Sequence, residues 1–178
     1  MVRYLKVIVM GCFLVFHVIA LGQENYPIPK RTPHRLFYIQ HSYNHNTYVY
    51  DANLDGSYFK KNNPVNEYRI VYTEGGVKKP LSPIQKKMAY GTHVQFVKTN
   101  LYRFTLAASK ELVFFLIMTS KGIPRVFVNV NGRKIYLDRM FLELDDSLTS
   151  LSVQAKYILL EGTDYTTGEN VVEKVTMK

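Results

Sequence analysis

Apolar residues recur at every second position through much of this chain, and that alternation limits what it can fold into. In residues 66–72, for example, Tyr68, Ile70 and Tyr72 alternate with Glu67 and Arg69. A period of two is typical of a strand with one buried face. Turn-forming Gly, Asn and Asp residues separate the alternating runs, which indicates short connections. The pattern predicts an all-β domain, mainly an antiparallel meander, closed into a barrel or folded into a sandwich.

Asn131-Gly132 is the strongest turn signal, because this dipeptide favours the type I′ turn of a two-residue hairpin. The register that follows gives an apolar face, an aromatic pair and a pair of opposite charges. The predicted pairs are Val128 with Ile135, Val126 with Leu137, Phe127 with Tyr136, and Arg125 with Asp138.

One short helix is predicted near residues 82–90. Ser82 is a candidate N-cap, Pro83 suits the first helical position, and Gln85 completes a capping box. A short apolar stripe is expected to pack on the sheet, and Gly91 to end the helix in a left-handed conformation. The stripe consists of Ile84, Met88 and Ala89.

Residues 1–22 have the three parts of a secretory signal peptide. Arg3 and Lys6 precede an apolar run over residues 7–19, and small residues occupy the two positions that a signal peptidase reads, in Ala20-Leu21-Gly22. The run is shorter than the roughly 18–20 residues of a membrane span, so cleavage after Gly22 is favoured over retention as an anchor. Residues 23–33, with three prolines, are predicted to be a linker. Residues 34–178 are predicted to be one β-rich domain.

The single cysteine, Cys12, lies inside the predicted signal peptide. The alternative is a lipidated Cys12, but only about five apolar residues precede it, fewer than the roughly 7–15 expected. Cleavage after Gly22 removes this residue, so a processed chain has no internal disulfide and is held by its core.

The chain is basic, which bears on its partners. Its formal net charge is +9, and the predicted signal peptide holds two of the positive charges, which leaves +7. An exported basic protein meets anionic lipid, acidic glycan or protein partners in a cell envelope, unless the charge serves only solubility. No nucleic-acid partner is expected, since no motif combines aromatic and basic residues. No transmembrane span is expected after cleavage.

Residues 51–57 have oxygen-bearing side chains at alternate positions before a glycine, as in the first half of an EF-hand calcium loop. The candidate ligands are Asp51, Asn53 and Asp55. The twelfth position is Asn62 rather than the expected glutamate, so an EF-hand does not fit. A looser calcium-binding turn remains open beside the simpler interpretation, a polar hairpin loop.

Catalytic motifs are not evident. His41 and His45 lie four residues apart, with His34 and His93 elsewhere, but a strand-and-turn context does not make them converge on a metal. The nucleophile elbow of hydrolases is absent. An envelope hydrolase with an active site outside known motifs is therefore the alternative, and a non-enzymatic binding domain is the leading hypothesis.

Tyrosine is abundant, with fourteen residues and no tryptophan. Four tyrosines fall on the same alternating phase within their own strands, so they line one groove if those strands are neighbours. A tyrosine ring with its polar tip suits sugars, peptides or amphipathic ligands, and the alternative is that the rings fill the core. The candidates are Tyr48, Tyr50, Tyr68 and Tyr72.

Several short runs resemble one family. They are residues 36–42, Asn46-Thr47, residues 50–53, Asn63-Pro64-Val65 and residues 85–91. The chain resembles a domain-of-unknown-function family of small exported proteins of Bacteroidetes-type bacteria. The resemblance implies a periplasmic or outer-membrane-associated setting, and it implies no activity and no catalytic residue. The predicted export leaves an extracellular destination open as well.

Overall fold

The computed structural model describes residues 26–145 and 155–176, and strands dominate both ranges. The all-β fold class is confirmed. The first strands are β1 Arg35–His41, β2 Asn44–Ala52, β3 Leu54–Asp55, β4 Tyr58–Phe59, β5 Val65–Val71 and β6 Val77–Pro80. The later strands are β7 Thr92–Lys98, β8 Leu101–Leu106, β9 Ser109–Met118, β10 Pro124–Val130, β11 Arg133–Leu144, β12 Ala155–Asp164 and β13 Asn170–Thr176. The predicted signal peptide lies outside the described residues.

One sheet holds all the strands except the small β3–β4 hairpin. Its order is β6-β5-β2-β1-β11-β10-β9-β8-β7, and β12 and β13 branch from β11. The long strand β11 makes this branching possible. One of its edges pairs with β10 near Ile135 and with β1 near Met140, while β12 pairs along nearly its whole length.

One strand pair departs from the mainly antiparallel arrangement, because β1 and β11 are parallel. The other strand pairs in the described residues are antiparallel. Alternation shows which face of a strand is buried but not which strand lies beside it. A pairing between strands about 100 residues apart therefore leaves no local signal.

The sheet curls into a half-barrel around one core. Of the two predicted architectures, the structure is therefore closer to the barrel than to the sandwich. Phe37 of β1 stacks on Phe114 of β9, with ring centroids 5.9 Å apart, so the two arms of the sheet face each other. The far ends of the arms also meet. The Glu67 carboxylate of β5 accepts hydrogen bonds from the backbone N–H of Thr92, at 2.8 Å, and from its hydroxyl.

The hairpin at Asn131-Gly132 is confirmed. Both residues have positive φ, 49° and 74°, as a type I′ turn requires. The register places Val128 opposite Ile135 and Phe127 opposite Tyr136. The predicted opposite charges also meet, since an Arg125 guanidinium nitrogen lies 3.6 Å from an Asp138 oxygen.

The predicted helix forms, but two of its details are wrong. It is α-helical over Pro83–Gln85 and π-helical over Lys86–Tyr90, and the capping box between Ser82 and Gln85 is present. Ile84 and Met88 do not pack on the sheet, because 75% and 65% of their surfaces are exposed. Among the described residues, no helix is long and apolar enough to cross a membrane.

Gly91 ends the helix through close packing and not through a left-handed conformation. Its φ and ψ are −67° and 153°, which any residue can adopt. A Cβ atom there would lie 2.2 Å from the carbonyl oxygen of Lys86, far inside contact distance. The glycine is required because the chain leaves the helix directly against its last turn.

Residues 26–34, part of the predicted linker, are free of helix and strand, as their prolines predict. They lie against the outer face of the sheet. The Gln40 side-chain amide donates hydrogen bonds to the carbonyl of Pro27 and to the hydroxyl of Thr47, both at 2.9 Å. The Tyr26 ring packs edge-on against Phe141. This stretch, here called the N-terminal segment, therefore forms part of the surface of the domain.

Candidate functional site

Two of the four candidate tyrosines, Tyr48 and Tyr50, face the interior of the half-barrel. Tyr50 is fully buried, stacks on Phe37 at 4.4 Å and donates a hydrogen bond to the Tyr90 carbonyl at 2.7 Å. Burial raises the pKa of Tyr50 well above its usual value, so its hydroxyl stays protonated. Tyr48 stacks on the ring of Tyr90. Both residues are core packing.

The other two, Tyr68 and Tyr72, lie on the outer face. The register of β2 and β5 places Tyr68 opposite Val49, whereas Tyr48 lies opposite Arg69. Because neighbouring residues on a strand point to opposite faces, Tyr68 and Tyr48 are on different sides of the sheet. Tyr72 packs with Tyr68 around Val49. The four rings therefore do not line a single groove, and the shared phase within each strand did not reveal the register between the strands.

The candidate calcium residues are spread along extended backbone and a hairpin. The Asp51 carboxylate lies 2.6 Å from the Arg35 guanidinium and accepts a hydrogen bond from the Tyr68 hydroxyl at 2.9 Å. Asn53 follows the end of β2, and its backbone N–H donates to the Pro64 carbonyl. Asp55 is exposed beside Gly56 in the β3–β4 hairpin. Within the described ranges, no three His, Cys, Asp or Glu side chains form a group suited to a metal.

The histidines do not come together either. His34, His45 and His93 are exposed, on the N-terminal segment, β2 and β7. His41 is buried inside the half-barrel beside Tyr48, with ring centroids 5.9 Å apart, and its Nδ1 has no partner among the described residues. Burial lowers the pKa of His41 to about 4. His93 lines a groove, but no acidic residue shares that lining, so the described residues give the hydrolase alternative no histidine beside an acid in a cleft.

Acidification is expected to destabilise the domain through His41. The folded state holds the imidazole neutral, so the stability it contributes is fully present above its unfolded pKa of about 6.5. That stability is lost as the pH falls toward the folded pKa of about 4. Going from about pH 7.5 to about pH 5 should remove about 2 kcal/mol of unfolding free energy, and His41→Leu should abolish that part of the loss. Urea unfolding of both proteins at the two pH values measures it. An equal loss in the variant would assign the pH dependence to other groups.

A cavity of about 370 Å³ lies between the N-terminal segment and the outer face of the sheet. The segment, the start of β1, the turn before β10 and the middle of β11 supply its walls. Its polar lining consists of Arg31, Thr32, Arg35, Tyr38, Arg125 and Asp138. Its apolar lining consists of Ile28, Pro29, Pro33, Leu36, Ile123 and Pro124. The cavity is thus apolar over much of its wall and carries three arginines against one aspartate.

Arg35 is the most buried of these arginines, with 9% of its side chain exposed. The Asp51 carboxylate accepts a hydrogen bond from the Arg35 Nε–H, and the Tyr68 hydroxyl oxygen accepts one from Nη2 at 3.2 Å. These contacts fix the plane of the guanidinium and leave Nη1 buried without a partner in the described part of the chain. The Thr32 hydroxyl, also in the lining, is likewise buried without a partner in the described residues.

Arg125 is held from three sides. Nη2 donates to the Thr163 hydroxyl at 3.3 Å, the guanidinium lies over the Tyr136 ring at 4.9 Å, and Asp138 is 3.6 Å away. Its Nε is buried and has no partner among the described residues. Burial raises the pKa of the Asp138 carboxyl, while Arg125 and Arg31 act in the opposite direction.

Three of the six buried side-chain polar atoms that lack partners in the described residues therefore belong to residues lining this one cavity. A buried donor without an acceptor costs about 1–3 kcal/mol, so such a cluster favours binding of a group that supplies acceptors. Arginine matches the oxygens of carboxylate and phosphate groups. With its apolar walls, the cavity can hold an organic anion.

Sequence reasoning missed this site except for the contact between Arg125 and Asp138, which followed from the hairpin register. Arg31 and Arg35 flank Pro33, and nothing in their spacing shows that the segment folds back over the sheet. The sequence did offer one signal, the arginines close to prolines at the start of the domain. Such arginines can be considered as candidate lining residues of a binding site.

The fold and the cavity define a curled, mainly antiparallel β-domain with a cationic cavity on its outer face. The chain belongs to the family called domain of unknown function DUF4833, which matches residues 37–174. The family resemblance drawn from the sequence is thereby confirmed, although the match carries no information on export or on the source organism. Comparisons with curated proteins and with solved structures gave no significant match.

Proposed function

We propose that this protein is an exported, envelope-associated domain that binds a small organic anion in the arginine-lined cavity. The observation that carries the proposal is that Arg35 and Arg125 line one cavity and each keeps a buried guanidinium donor, Nη1 and Nε respectively, without a partner in the described residues. Arg35 and Arg125 hold the carboxylate or phosphate oxygens, and the Thr32 hydroxyl adds a donor. The apolar residues around Ile123 contact the body of the ligand.

Binding suits this cavity better than catalysis. Arg35 and Arg125 are fixed by protein contacts, as a preorganised anion site requires. Burial raises the pKa of Tyr38, so this hydroxyl stays protonated and acts as a donor. Asp138 is the one carboxylate in the lining, and it already faces Arg125. A hydrolase needs a nucleophile in contact with a base, and the lining supplies no such pair.

Organic anions are expected to bind the wild-type protein, and Arg125→Gln is expected to weaken binding about tenfold. Loss of one charge-assisted hydrogen bond is worth about 1.5–3 kcal/mol, and partial exposure of this side chain reduces the effect. Calorimetric titration with phosphate, acetate, succinate and glucose 6-phosphate measures it. Arg133→Gln is the matched control, since it removes the same charge from a residue paired with Glu173 outside the cavity. Equal weakening in both variants would show a general charge effect and contradict the site.

Asp138→Asn is expected to act in the opposite direction. The substitution keeps the shape of the side chain and removes the one negative charge of the cavity lining. The bound anion then meets less repulsion, and Arg125 loses a competing partner, so affinity should rise several-fold. The same titrations measure this change. Unchanged affinity in the Asp138 variant, together with wild-type binding by the Arg125 variant, would place the ligand elsewhere.

Export is the second part of the proposal, supported by the charged start, apolar run and small residues of residues 1–22. Expression of the full chain in a bacterial host should give a processed protein that begins at Gln23 and is found outside the cytoplasm. Cell fractionation and intact-mass measurement test this, with Leu14→Arg as a variant whose apolar run is interrupted. Retention of residues 1–22 in a membrane fraction would instead support an anchor.

A further inference from the structure

Residues 75–110 carry seven lysines or arginines and no aspartate or glutamate. This stretch, here called the basic edge, comprises β6, the helix, β7, β8 and the turn after β8. β6 and β7 are the two ends of the main strand order, so both lie at edges of the sheet. The cationic residues are Lys78, Lys79, Lys86, Lys87, Lys98, Arg103 and Lys110.

The basic edge also exposes large apolar side chains. Ile84 and Met88 lie one helical turn apart, on the same side of the helix, and are 75% and 65% exposed. Val77, Phe96 and Val97 are about half exposed on the edge strands. On the helix, exposed apolar side chains beside exposed lysines indicate an interaction surface. Lysines on edge strands also discourage edge-to-edge pairing, but that role does not explain the exposed Ile84 and Met88.

Backbone contacts bring the parts of this surface together. The N–H of Ala108 donates to the Ala89 carbonyl at 3.1 Å, and the N–H of Ala107 donates to the Gly91 carbonyl at 2.8 Å. The end of the helix therefore lies beside the turn between β8 and β9. On the outer face of these strands, a groove of about 380 Å³ is lined by His93, Gln95, Arg103, Phe104, Thr105 and Lys110.

Two of the seven cations already have partners. Lys79 forms an ion pair with Glu74, and the ammonium of Lys78 lies over the Tyr68 ring at 4.7 Å. Lys86 and Lys87 are exposed on the helix that carries Ile84 and Met88. This helix thus presents both components of an interfacial anchor, an apolar side and adjacent cations.

We propose that the basic edge docks on an anionic lipid surface. Ile84 and Met88 enter the boundary between head groups and acyl chains, and Lys86 and Lys87 contact the head groups. Arg103 and Lys110 supply further positive charge in the neighbouring groove. An acidic glycan would be attracted by the same charges, but it offers no apolar region for Ile84 and Met88. This inference is independent of the arginine-lined cavity.

Vesicle flotation tests the inference directly. The processed protein from Gln23, without the apolar run of residues 7–19, is mixed with vesicles of phosphatidylcholine alone or of phosphatidylcholine and phosphatidylglycerol in equal amounts. The protein should float with the anionic vesicles and not with the neutral ones. Lys86→Gln/Lys87→Gln should lower the partition coefficient about thirtyfold, since each lysine near an anionic surface is worth about 1 kcal/mol. Ile84→Ser/Met88→Ser should lower it at least about tenfold.

Matched controls distinguish binding through this surface from nonspecific electrostatic or hydrophobic attraction to the vesicles. Lys60→Gln/Lys61→Gln removes two adjacent exposed lysines outside the basic edge, and Val172→Ser removes an exposed apolar side chain on β13. Both should bind vesicles as the wild type does. Failure to float with anionic vesicles would overturn the inference. The inference would also be overturned if salt abolished vesicle binding and Ile84→Ser/Met88→Ser left it unchanged. That result would favour a polyanion such as an acidic glycan as the partner.

Discussion

Replacing Phe37 with alanine is expected to lower the free energy of unfolding by about 4 kcal/mol, the cost of deleting a large buried aromatic side chain. Phe37 is fully buried where the two arms of the half-barrel meet. Its ring stacks on Tyr50 at 4.4 Å, on Phe114 at 5.9 Å and on Phe104 at 6.3 Å. The deletion opens a cavity that these neighbours, on three different strands, cannot fill together. Urea unfolding followed by circular dichroism measures the loss.

Phe96→Ala is the matched control for Phe37→Ala. The same atoms are removed from a side chain of an edge strand that is 55% exposed. The loss there should be under about 1 kcal/mol, because little apolar surface is returned to water. Similar losses in the two variants would contradict the packing described for the core.

Replacing Arg35 with methionine is expected to destabilise the protein by about 3 kcal/mol. Arg35 and Asp51 form an ion pair at 2.6 Å with 9% and 15% of their side chains exposed. Removing the cation leaves a largely buried carboxylate that keeps its hydrogen bond from the Tyr68 hydroxyl but has lost its counter-charge. Thermal and urea unfolding measure the change.

The double variant Arg35→Met/Asp51→Asn distinguishes a lost ion pair from lost packing. It also removes the buried negative charge, so it should be more stable than Arg35→Met alone. A double variant that loses the sum of the two single effects would show that the two residues are not coupled. Because Arg35 has this structural role, Arg125 is the better probe of ligand binding.

The parts of the fold that could be predicted are encoded by residues close together in the chain. Asn131-Gly132 fixes its hairpin because the turn and its register are determined within about ten residues. The capping box of Ser82 and Gln85 likewise spans one turn. The parallel contact between Ile39 and Met140 joins distant strands, and no local pattern reports it.

The tyrosines show the same limit at the level of a site. The alternation places each ring on a face of its own strand, but the register between β2 and β5 decides that Tyr48 and Tyr68 lie on opposite sides. The cavity depends on a further long-range event, the packing of the N-terminal segment over the sheet through Gln40 and Pro27. Arg31 and Arg35 are close in the chain but Arg125 lies far from both, so sequence spacing could not group the three.

The most direct test of the cavity is an NMR titration that follows the arginine Nε–Hε signals of labelled protein as succinate and then phosphate are added. The account predicts that the Arg125 signal shifts and saturates, since its buried Nε lacks a protein partner in the described residues. The Arg133 signal, from a guanidinium paired with Asp164 and Glu173, should stay in place. No saturable change at Arg125, or equal drift of every arginine signal, would contradict the proposed anion site.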